Sequence, residues 1–163
     1  MHGRDHRPGG ADPIPGVGST GARIQRLNSP QTTANNTNTD VLYDTVDFDT
    51  ADMADLSAPD RLTVQIPGVY LVMFQVVYAS NATGRRIGAI TINYLYSGTL
   101  FGSNASLSLN AISGGKTSVP VSAVFFLSQG DFIASGAFQA SGGNLTIDPG
   151  TNVFLSAYLL GAT

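Results

Sequence analysis

The chain has 163 residues, a formal net charge of -3, 19 glycines, 8 prolines and no cysteine. This length provides one well-buried domain with a short appendage, and the absence of cysteine excludes disulfides and thiolate chemistry. With 8 Lys and Arg residues in the whole chain, it lacks the clustered basic charge that nucleic-acid binding needs.

The composition favours strands over helices. All 11 acidic residues are Asp, and Lys116 is the single lysine, so the long straight side chains that coat exposed helices are scarce. Runs rich in Val, Ile, Phe and Tyr alternate with Gly, Pro, Ser, Thr and Asn, a pattern typical of strands joined by turns. We therefore expect an all-β fold.

Residues 1–21, MHGRDHRPGGADPIPGVGSTG, have no apolar periodicity and are rich in Gly and Pro. Such a segment cannot build a core, so we predict an extended N-terminal arm followed by one domain over residues 22–163. The arm lacks the apolar centre of a signal peptide, and no run approaches the 18 apolar residues of a membrane helix. These features predict synthesis in a cytoplasm and no membrane insertion.

Ten strand candidates follow the arm at short, regular intervals, as in sandwiches and barrels. A polar loop, SPQTTANNTNT, separates the first candidate from the second. In chain order the candidates are ARIQRL, VLYDTVDF, RLTVQI, VYLVMFQVVYA, RIGAITINYLY, SLSLNAI, TSVPVSAVFFLSQ, DFIASGAFQA, NLTI and NVFLSAYLL.

Three of these candidates are apolar on both faces, namely 70–78, 119–127 and 153–160. An antiparallel strand of a monomer usually has one wet face, so these strands are either central in the sandwich or face another subunit. Their combined apolar surface favours a homo-oligomer. The candidate residues for trimer contacts or core packing are Tyr70, Val72, Phe74, Val76, Tyr78, Phe125, Phe138, Phe154 and Tyr158.

Four phrases carry a resemblance to a known family: VLYDTVDFDT at 41–50, PGVYLV at 67–72, YASNATGRR at 78–86 and SAYLLG at 156–161. Their order resembles the C1q/TNF-like domain found in bacteriophage structural proteins. The resemblance implies an antiparallel jelly-roll sandwich that forms a homotrimer on a virion surface. It also implies adhesion or reinforcement rather than catalysis.

The arm carries a second resemblance. HRPGGADPIPG at 6–16 is similar to short phrases near the beginning of phage tail and fibre proteins. Its prolines pre-extend the chain and reduce the entropy lost on docking. The resemblance predicts docking to other virion proteins through His6, Arg7, Pro8, Gly9, Gly10, Asp12 and Pro13.

Two glycine motifs imitate nucleotide-binding loops. Gly16, Gly18 and Gly21 spell G-x-G-x-x-G, but ADPIP precedes them and a strand-like run follows, where a buried strand and a helix are required. Gly115, Lys116 and Thr117 echo the end of a P-loop, but Pro120 interrupts the place of its helix. We interpret both as loops, with Lys116 in solvent.

The acidic run from Asp40 to Asp60 contains candidate calcium ligands. Asp47 and Asp49 flank Phe48, so we expect their carboxylates to share one face of an extended chain. The ordered ligand pattern of a calcium loop is missing, and turn-capping carboxylates are the simpler interpretation. His2, Asp5 and His6 are a weaker metal candidate on three converging arms. Sequons at Asn35, Asn81, Asn104 and Asn144 fit turn chemistry better than glycan attachment.

Acid and base groups are too few for a hydrolytic site, because the two histidines both lie in the arm. We predict no enzyme activity, no cofactor and no metal. The preferred role is a tail appendage that contacts a host-surface glycan or protein. Capsid decoration and a C1q-like lectin that binds carbohydrate or calcium are the alternatives. Candidate distal loops are 80–85, 97–104 and 141–144.

Overall fold

The computed structural model describes residues 20–98 and 102–163 as twelve strands and one short 3-10 turn, Tyr96–Gly98. No helix within these ranges is long and apolar enough to cross a membrane. The strands are β1 Gly21–Gln25, β2 Gln31–Thr33, β3 Thr39–Asp40, β4 Thr45–Asp49, β5 Arg61–Thr63, β6 Gly68–Tyr78, β7 Arg85–Ile92, β8 Ala105–Asn110, β9 Thr117–Leu127, β10 Phe132–Gln139, β11 Leu145–Ile147 and β12 Phe154–Ala162.

A seven-stranded antiparallel sheet forms one layer of a sandwich, and β6 pairs with three of its strands, β9, β11 and β12. Strand β9 pairs with β6 along its whole length, from Gly68↔Leu127 to Tyr78↔Thr117. On the other side, β12 pairs with β6, followed outward by β1 and β4. The short strands β11 and β2 extend the sheet beyond the start of β12, because Ile147 pairs with Tyr78.

A five-stranded antiparallel sheet forms the second layer. Strand β10 pairs with β7 on one side and with β3 and β5 on the other. Strand β8 pairs with β7 and forms one edge of this sheet. The order of strands in both layers is therefore the result of long-range pairing.

The core lies between the two sheets. Tyr70, Val72, Phe74, Val76 and Tyr78 are at most 1% exposed, because every second side chain of β6 projects to the same face. Other buried apolar residues come from both layers, and they include Ile24, Leu62, Ile90, Val119, Ile133, Ile147 and Leu155.

The connection after β7 packs onto the outside of the five-stranded sheet. Tyr96 lies against Gly136, where an added Cβ would be 2.1 Å from the Tyr96 ring. Ser97 donates through its backbone N–H to Asp40, and their side chains also form a hydrogen bond. Glycine at 136 is therefore required by a close approach, and this sheet is partly covered by its own chain.

The long strands run between two ends of the sandwich. Gly21 begins β1 beside the end of β12, and the Leu159 N–H donates to the carbonyl of Thr20. Thr20, the first described residue, therefore lies at this end, which we call the arm end. The opposite end, the distal end, carries the connections 79–84, 111–116 and 140–144, which follow or precede Tyr78, Thr117 and Leu145.

All ten predicted strand candidates contain a strand, and the all-β antiparallel prediction is confirmed. The predicted polar loop contains a further strand, β2, and the first residue of another, β3, which pair with β11 and β10 respectively. The domain includes Thr20 and Gly21, slightly before the predicted start at residue 22.

Replacing Phe74 by Ala tests the core. Phe74 is 1% exposed, so truncation should lower the free energy of unfolding by about 3–5 kcal/mol. Urea unfolding followed by fluorescence or circular dichroism measures this change. Ile112→Ala is the control, since Ile112 is 52% exposed and its truncation should change stability by less than about 0.5 kcal/mol. Equal effects of the two substitutions would contradict this assignment of the core.

Candidate functional site

The side of the seven-stranded sheet that points away from the core is apolar near the arm end. We call this side the outer face. Strand pairing aligns Val69 of β6 with Phe126 of β9, and the next outward row aligns Leu71 with Val124 and Tyr158. Outward side chains on neighbouring strands stand side by side, so these residues form one continuous patch.

Several residues of this patch are exposed to an unusual degree. Phe126 is 65% exposed and Val124 is 59% exposed, and Leu160, at the bulge of β12, is 60% exposed. Single exposed apolar residues are common on protein surfaces, but adjacent large ones mark an interaction surface. The outer face is therefore the candidate functional site.

An aromatic group continues the patch across β12 towards β4. The rings of Phe48 and Tyr158 lie 5.6 Å apart and are tilted by 38°. The Arg23 guanidinium lies 4.0 Å from the centre of the Phe154 ring and 3.6 Å from the Asp47 carboxylate. These contacts hold the aromatic side chains in fixed positions on the outer face.

The outer face becomes more polar towards the distal end. The row after Leu71 contains Met73 with Ser122 and Ser156, and the following row pairs Gln75 with Pro120. The apolar patch is therefore bounded by small polar residues, as protein interfaces commonly are.

Strand β9 is a free edge of its sheet within the described residues, because it pairs with β6 alone. Strand β8 is the neighbouring edge of the other sheet, and its Leu107 is 36% exposed. Exposed edges favour pairing with other chains unless they are covered. The two edges lie side by side and form a second surface next to the outer face, with Leu107 as an exposed apolar residue.

The structure separates the residues predicted for trimer or core packing into distinct places. The five residues from Tyr70 to Tyr78 lie in the core, and Phe125 packs partly against it. Phe154 and Tyr158 lie half-buried on the outer face. Phe138 lies on the five-stranded sheet beneath the Arg85 guanidinium, away from the outer face.

Sequence reasoning missed Phe126, the most exposed aromatic side chain among residues 20–98 and 102–163. The structure sets the orientation of β9, since Val119, Val121 and Leu127 are buried. Residues 124 and 126 must then project outward. The sequence alone did not indicate which of the two alternating sets faces the core.

The carboxylates of the acidic run serve mainly as caps for backbone N–H groups. Asp44 accepts hydrogen bonds from the backbone N–H groups of residues 27, 28 and 29 at 2.8–3.1 Å. Asp49 accepts them from residues 51, 53 and 54 at 2.8–3.1 Å. Both oxygens of each carboxylate are thereby occupied, which matches the turn-capping interpretation.

The expectation that Asp47 and Asp49 share one face is wrong. The pairing register of β1 and β4 shifts beside Arg23, so that Arg23 is opposite Phe48 and Ile24 is opposite Val46. Asp47 is the extra residue of this bulge, and its carboxylate contacts Arg23 and Gln25. A bulge inserts one residue and reverses the alternation that follows it.

The other motifs take simple structural roles. Gly21 lies in β1, and a strand follows where a dinucleotide site would need a helix. Lys116 is exposed to solvent, as predicted, and also forms an ion pair of 2.9 Å with Asp148. Asn35, Asn81 and Asn104 accept backbone N–H bonds, as turn residues do.

Residues 20–98 and 102–163 contain no group of three or more metal-ligating side chains. The predicted docking residues from His6 to Pro13 and the metal candidate formed by His2, Asp5 and His6 lie outside these residues.

Solved structures with the same architecture are distant in sequence. The globular domain of zebrafish complement 1qA protein is 15% identical, the alignment covers 88% of this chain and 99% of that chain, and the TM-score is 0.61. Eiger TNF from S. frugiperda is 17% identical, with 89% and 94% covered and a TM-score of 0.64. Murine APRIL at pH 5.0 is 18% identical, with 87% and 99% covered and a TM-score of 0.62.

This chain has the C1q/TNF-type jelly-roll fold. The fold prediction is therefore confirmed by similar solved structures. No protein-family model and no curated protein matches the chain. Likeness at these identities establishes the fold alone, so the function must be argued from the surface.

The Asp44 cap predicts a pH dependence. Partial burial raises the pKa of this carboxyl. Hydrogen bonds from Leu27, Asn28, Thr45 and Ser29 lower the pKa by more, so its net value is below the usual 3.8. The carboxylate therefore stabilises the folded state above pH 3.8, and this stability is lost as the pH falls through the folded pKa. At neutral pH, Asp44→Asn should lower the melting temperature, and the difference from wild type should close in acid.

Asp52→Asn is the control for this measurement. Asp52 is exposed and accepts no hydrogen bond within the described ranges, and Asn tolerates its φ of 54° as well as Asp does. Melting curves between neutral pH and pH 3 should show no closing gap for this variant. A constant gap for Asp44→Asn across the same range would contradict the assigned cap.

Proposed function

We propose that this protein is a non-enzymatic virion surface protein of a bacteriophage that assembles as a homotrimer through the outer face. In this role the N-terminal arm attaches it to another virion protein, and the domain contributes to contact with the host surface. The observation that carries the proposal is the apolar patch around Leu71, Val124 and Phe126. The resemblance of the sequence to phage C1q/TNF-like domains supplies the virion setting.

The arrangement of apolar surface favours a closed ring over a two-fold dimer. A two-fold contact uses one patch on both subunits, whereas a ring uses two different patches on each subunit. This chain offers two: the outer face, and the adjoining edge of β8 and β9 with Leu107. Packing the edge of one subunit onto the outer face of the next covers both surfaces, and a three-fold ring agrees with the family resemblance.

The position of the arm fits this assembly. Thr20 lies beside Leu159, at the same end of the sheet as Phe126 and Gly68. Subunits related by a three-fold axis along the strands would release three arms from one end of the trimer. Three arms that dock together gain avidity, because binding of the first raises the effective concentration of the others.

The tail appendage and capsid decoration roles share this assembly and differ in location. Antibody labelling or cryo-electron microscopy of intact particles distinguishes them directly. Density for the trimer at the tail supports the proposed host-contact role, and density at local three-fold positions of the head supports decoration.

Substituting the outer face tests the association. Phe126→Asp places a charge in the centre of the proposed contact, where desolvation without a partner is costly. We expect light scattering to give three subunits for the wild type and one for the variant. Circular dichroism should show the same strand content in both, because Phe126 is 65% exposed in the isolated subunit.

Ile112→Asp is the matched control, since Ile112 is also exposed but lies in the distal connection 111–116. It should leave the trimer intact. A monomeric wild type at micromolar concentration, or a trimer that survives Phe126→Asp, would refute association through the outer face.

The arm is tested by deletion of residues 1–19. The deletion keeps Gly21, because no other residue fits its place in β1. A Cβ there would lie 2.2 Å from the carbonyl oxygen of Ala157. We expect a folded trimer that no longer enters particles, measured by immunoblotting of purified virions. A control arm of equal length made of Gly and Ser should fail as well, and Arg7→Ala and Asp12→Ala separate charge from backbone shape.

Normal incorporation of the truncated protein would overturn the docking role of the arm while leaving the trimer untouched.

A further inference from the structure

The distal end contains a buried arginine that has no carboxylate partner in the described structure. Arg86 is 0% exposed and projects to the core side of β7. Its Nη1 donates to the carbonyls of Thr83 at 2.9 Å and Arg85 at 3.0 Å, and its Nη2 donates to the carbonyl of Asn81 at 3.0 Å. The guanidinium thus fixes the backbone of the connection 79–84.

Two further buried polar side chains act in the same way. Gln139 is 0% exposed, and its Nε2 donates to the carbonyls of Thr33 at 3.2 Å and Gly143 at 2.9 Å. Its Oε1 accepts from the N–H of Ser141 at 2.8 Å. Thr117 is buried and accepts from the N–H of Ile112 at 3.2 Å. The three distal connections are therefore each held from inside the sandwich.

This arrangement is costly if stability is its sole purpose. Burying a charge without a counter-ion carries a desolvation penalty, and an apolar side chain of similar volume commonly serves the core better. What the buried groups provide is a fixed shape for loops that remain exposed at Thr83, Asn36 and Asn144. Loops ordered in advance lose less entropy when they bind a partner.

Charge is distributed unequally between the two ends. The arm end carries Asp49, Asp52, Asp55, Asp60 and Asp131, and Arg61 is paired there with Asp60 at 2.6 Å. The distal end carries exposed Arg85 and Lys116, with the guanidinium groups of Arg86 and Arg26 beneath the surface. Its two acidic groups are engaged, Asp44 by backbone N–H groups and Asp148 by Lys116.

Arg85 is the distal cation best placed for a ligand. It is exposed, it forms no ion pair within the described ranges, and its guanidinium lies 5.3 Å from the centre of the Phe138 ring. An arginine held over an aromatic ring presents several N–H donors in a fixed plane to a carboxylate, sulfate or phosphate. The amide and hydroxyl groups of the nearby loops are suited to sugar hydroxyls.

We propose that the distal end binds an anionic polysaccharide, with Arg85 as the charged contact and Arg86 as the residue that positions the 79–84 connection. This inference rests on the proposed surface role and names the chemical class of its partner. A polysaccharide fits better than nucleic acid, because binding to a phosphate backbone needs clustered Lys and Arg, whereas Arg85 is the one exposed distal cation without an ion pair in the described ranges. Three distal ends on one trimer would engage a repeating polymer together.

The test measures binding of the full-length protein to immobilised polymers by surface plasmon resonance. Alginate supplies carboxylates, dextran sulfate supplies sulfates, and neutral dextran of matched length supplies neither. We expect binding to at least one anionic polymer, no binding to neutral dextran, and weakening as salt is raised. Arg85→Gln should reduce affinity about tenfold or more, the loss expected for a charge-assisted hydrogen bond.

Arg61→Gln is the matched control, because Arg61 also lies over a ring, 4.4 Å from the centre of Phe132, but at the arm end. It should leave binding unchanged. Absence of binding to both anionic polymers, equal binding to neutral dextran, or equal losses for Arg85→Gln and Arg61→Gln would overturn the proposal.

Arg86→Met tests the positioning role separately. It removes the donors to residues 81, 83 and 85 and keeps an apolar side chain in the core. We expect faster amide hydrogen exchange in 79–84 and an affinity loss comparable to that of Arg85→Gln, with the melting temperature within a few degrees of wild type. Unchanged exchange and affinity would reject the positioning role.

Light scattering on the same samples distinguishes failure of the distal site from failure of the trimer. A trimer that ignores anionic polymers contradicts the distal site alone, and a monomer that binds them contradicts the trimer alone.

Discussion

The structure depends on the alternation of one strand, β6, which is buried on one side and apolar on the other. Its residues from Tyr70 to Tyr78 at even positions complete the core, and Leu71 and Met73 stand on the outer face. The two-residue period of a strand makes both sets obligatory, because slipping the register by one residue would exchange them. Core packing and the proposed association are therefore specified by the same eleven residues.

The two ends of the sandwich use different polar groups to satisfy the backbone of their loops. At the arm end, carboxylates such as Asp49 cap N–H groups and the loops remain acidic. At the distal end, cations and amides enter the interior and satisfy carbonyls, as Arg86 and Gln139 do. An interior arginine tolerates this position because backbone carbonyls replace much of its hydration, and burial still lowers its pKa.

The sequence was sufficient for the ten strand candidates because their apolar periodicity is strong. Strands β2 and β3 were not predicted, since QTT and TD carry no apolar alternation and exist through pairing with β11 and β10. Asp47 was misplaced because a bulge cannot be read from residue types. The choice between Phe125 and Phe126 required knowing which alternating set of β9 faces the core. The burial of Arg86 required knowing that the carbonyls of Asn81, Thr83 and Arg85 accept its hydrogen bonds.

The arm end and the distal end carry different loops. The sequence suggested three distal loops, but 80–85 and 141–144 lie opposite the arm, whereas the connection containing 97–104 leaves β7 near Phe132 at the arm end. An attached protein presents to its surroundings the end that points away from its anchor. If the arm anchors this domain, the loops held by Arg86 and Gln139 are the ones that meet a host surface, and the cost of burying those groups acquires a functional reason.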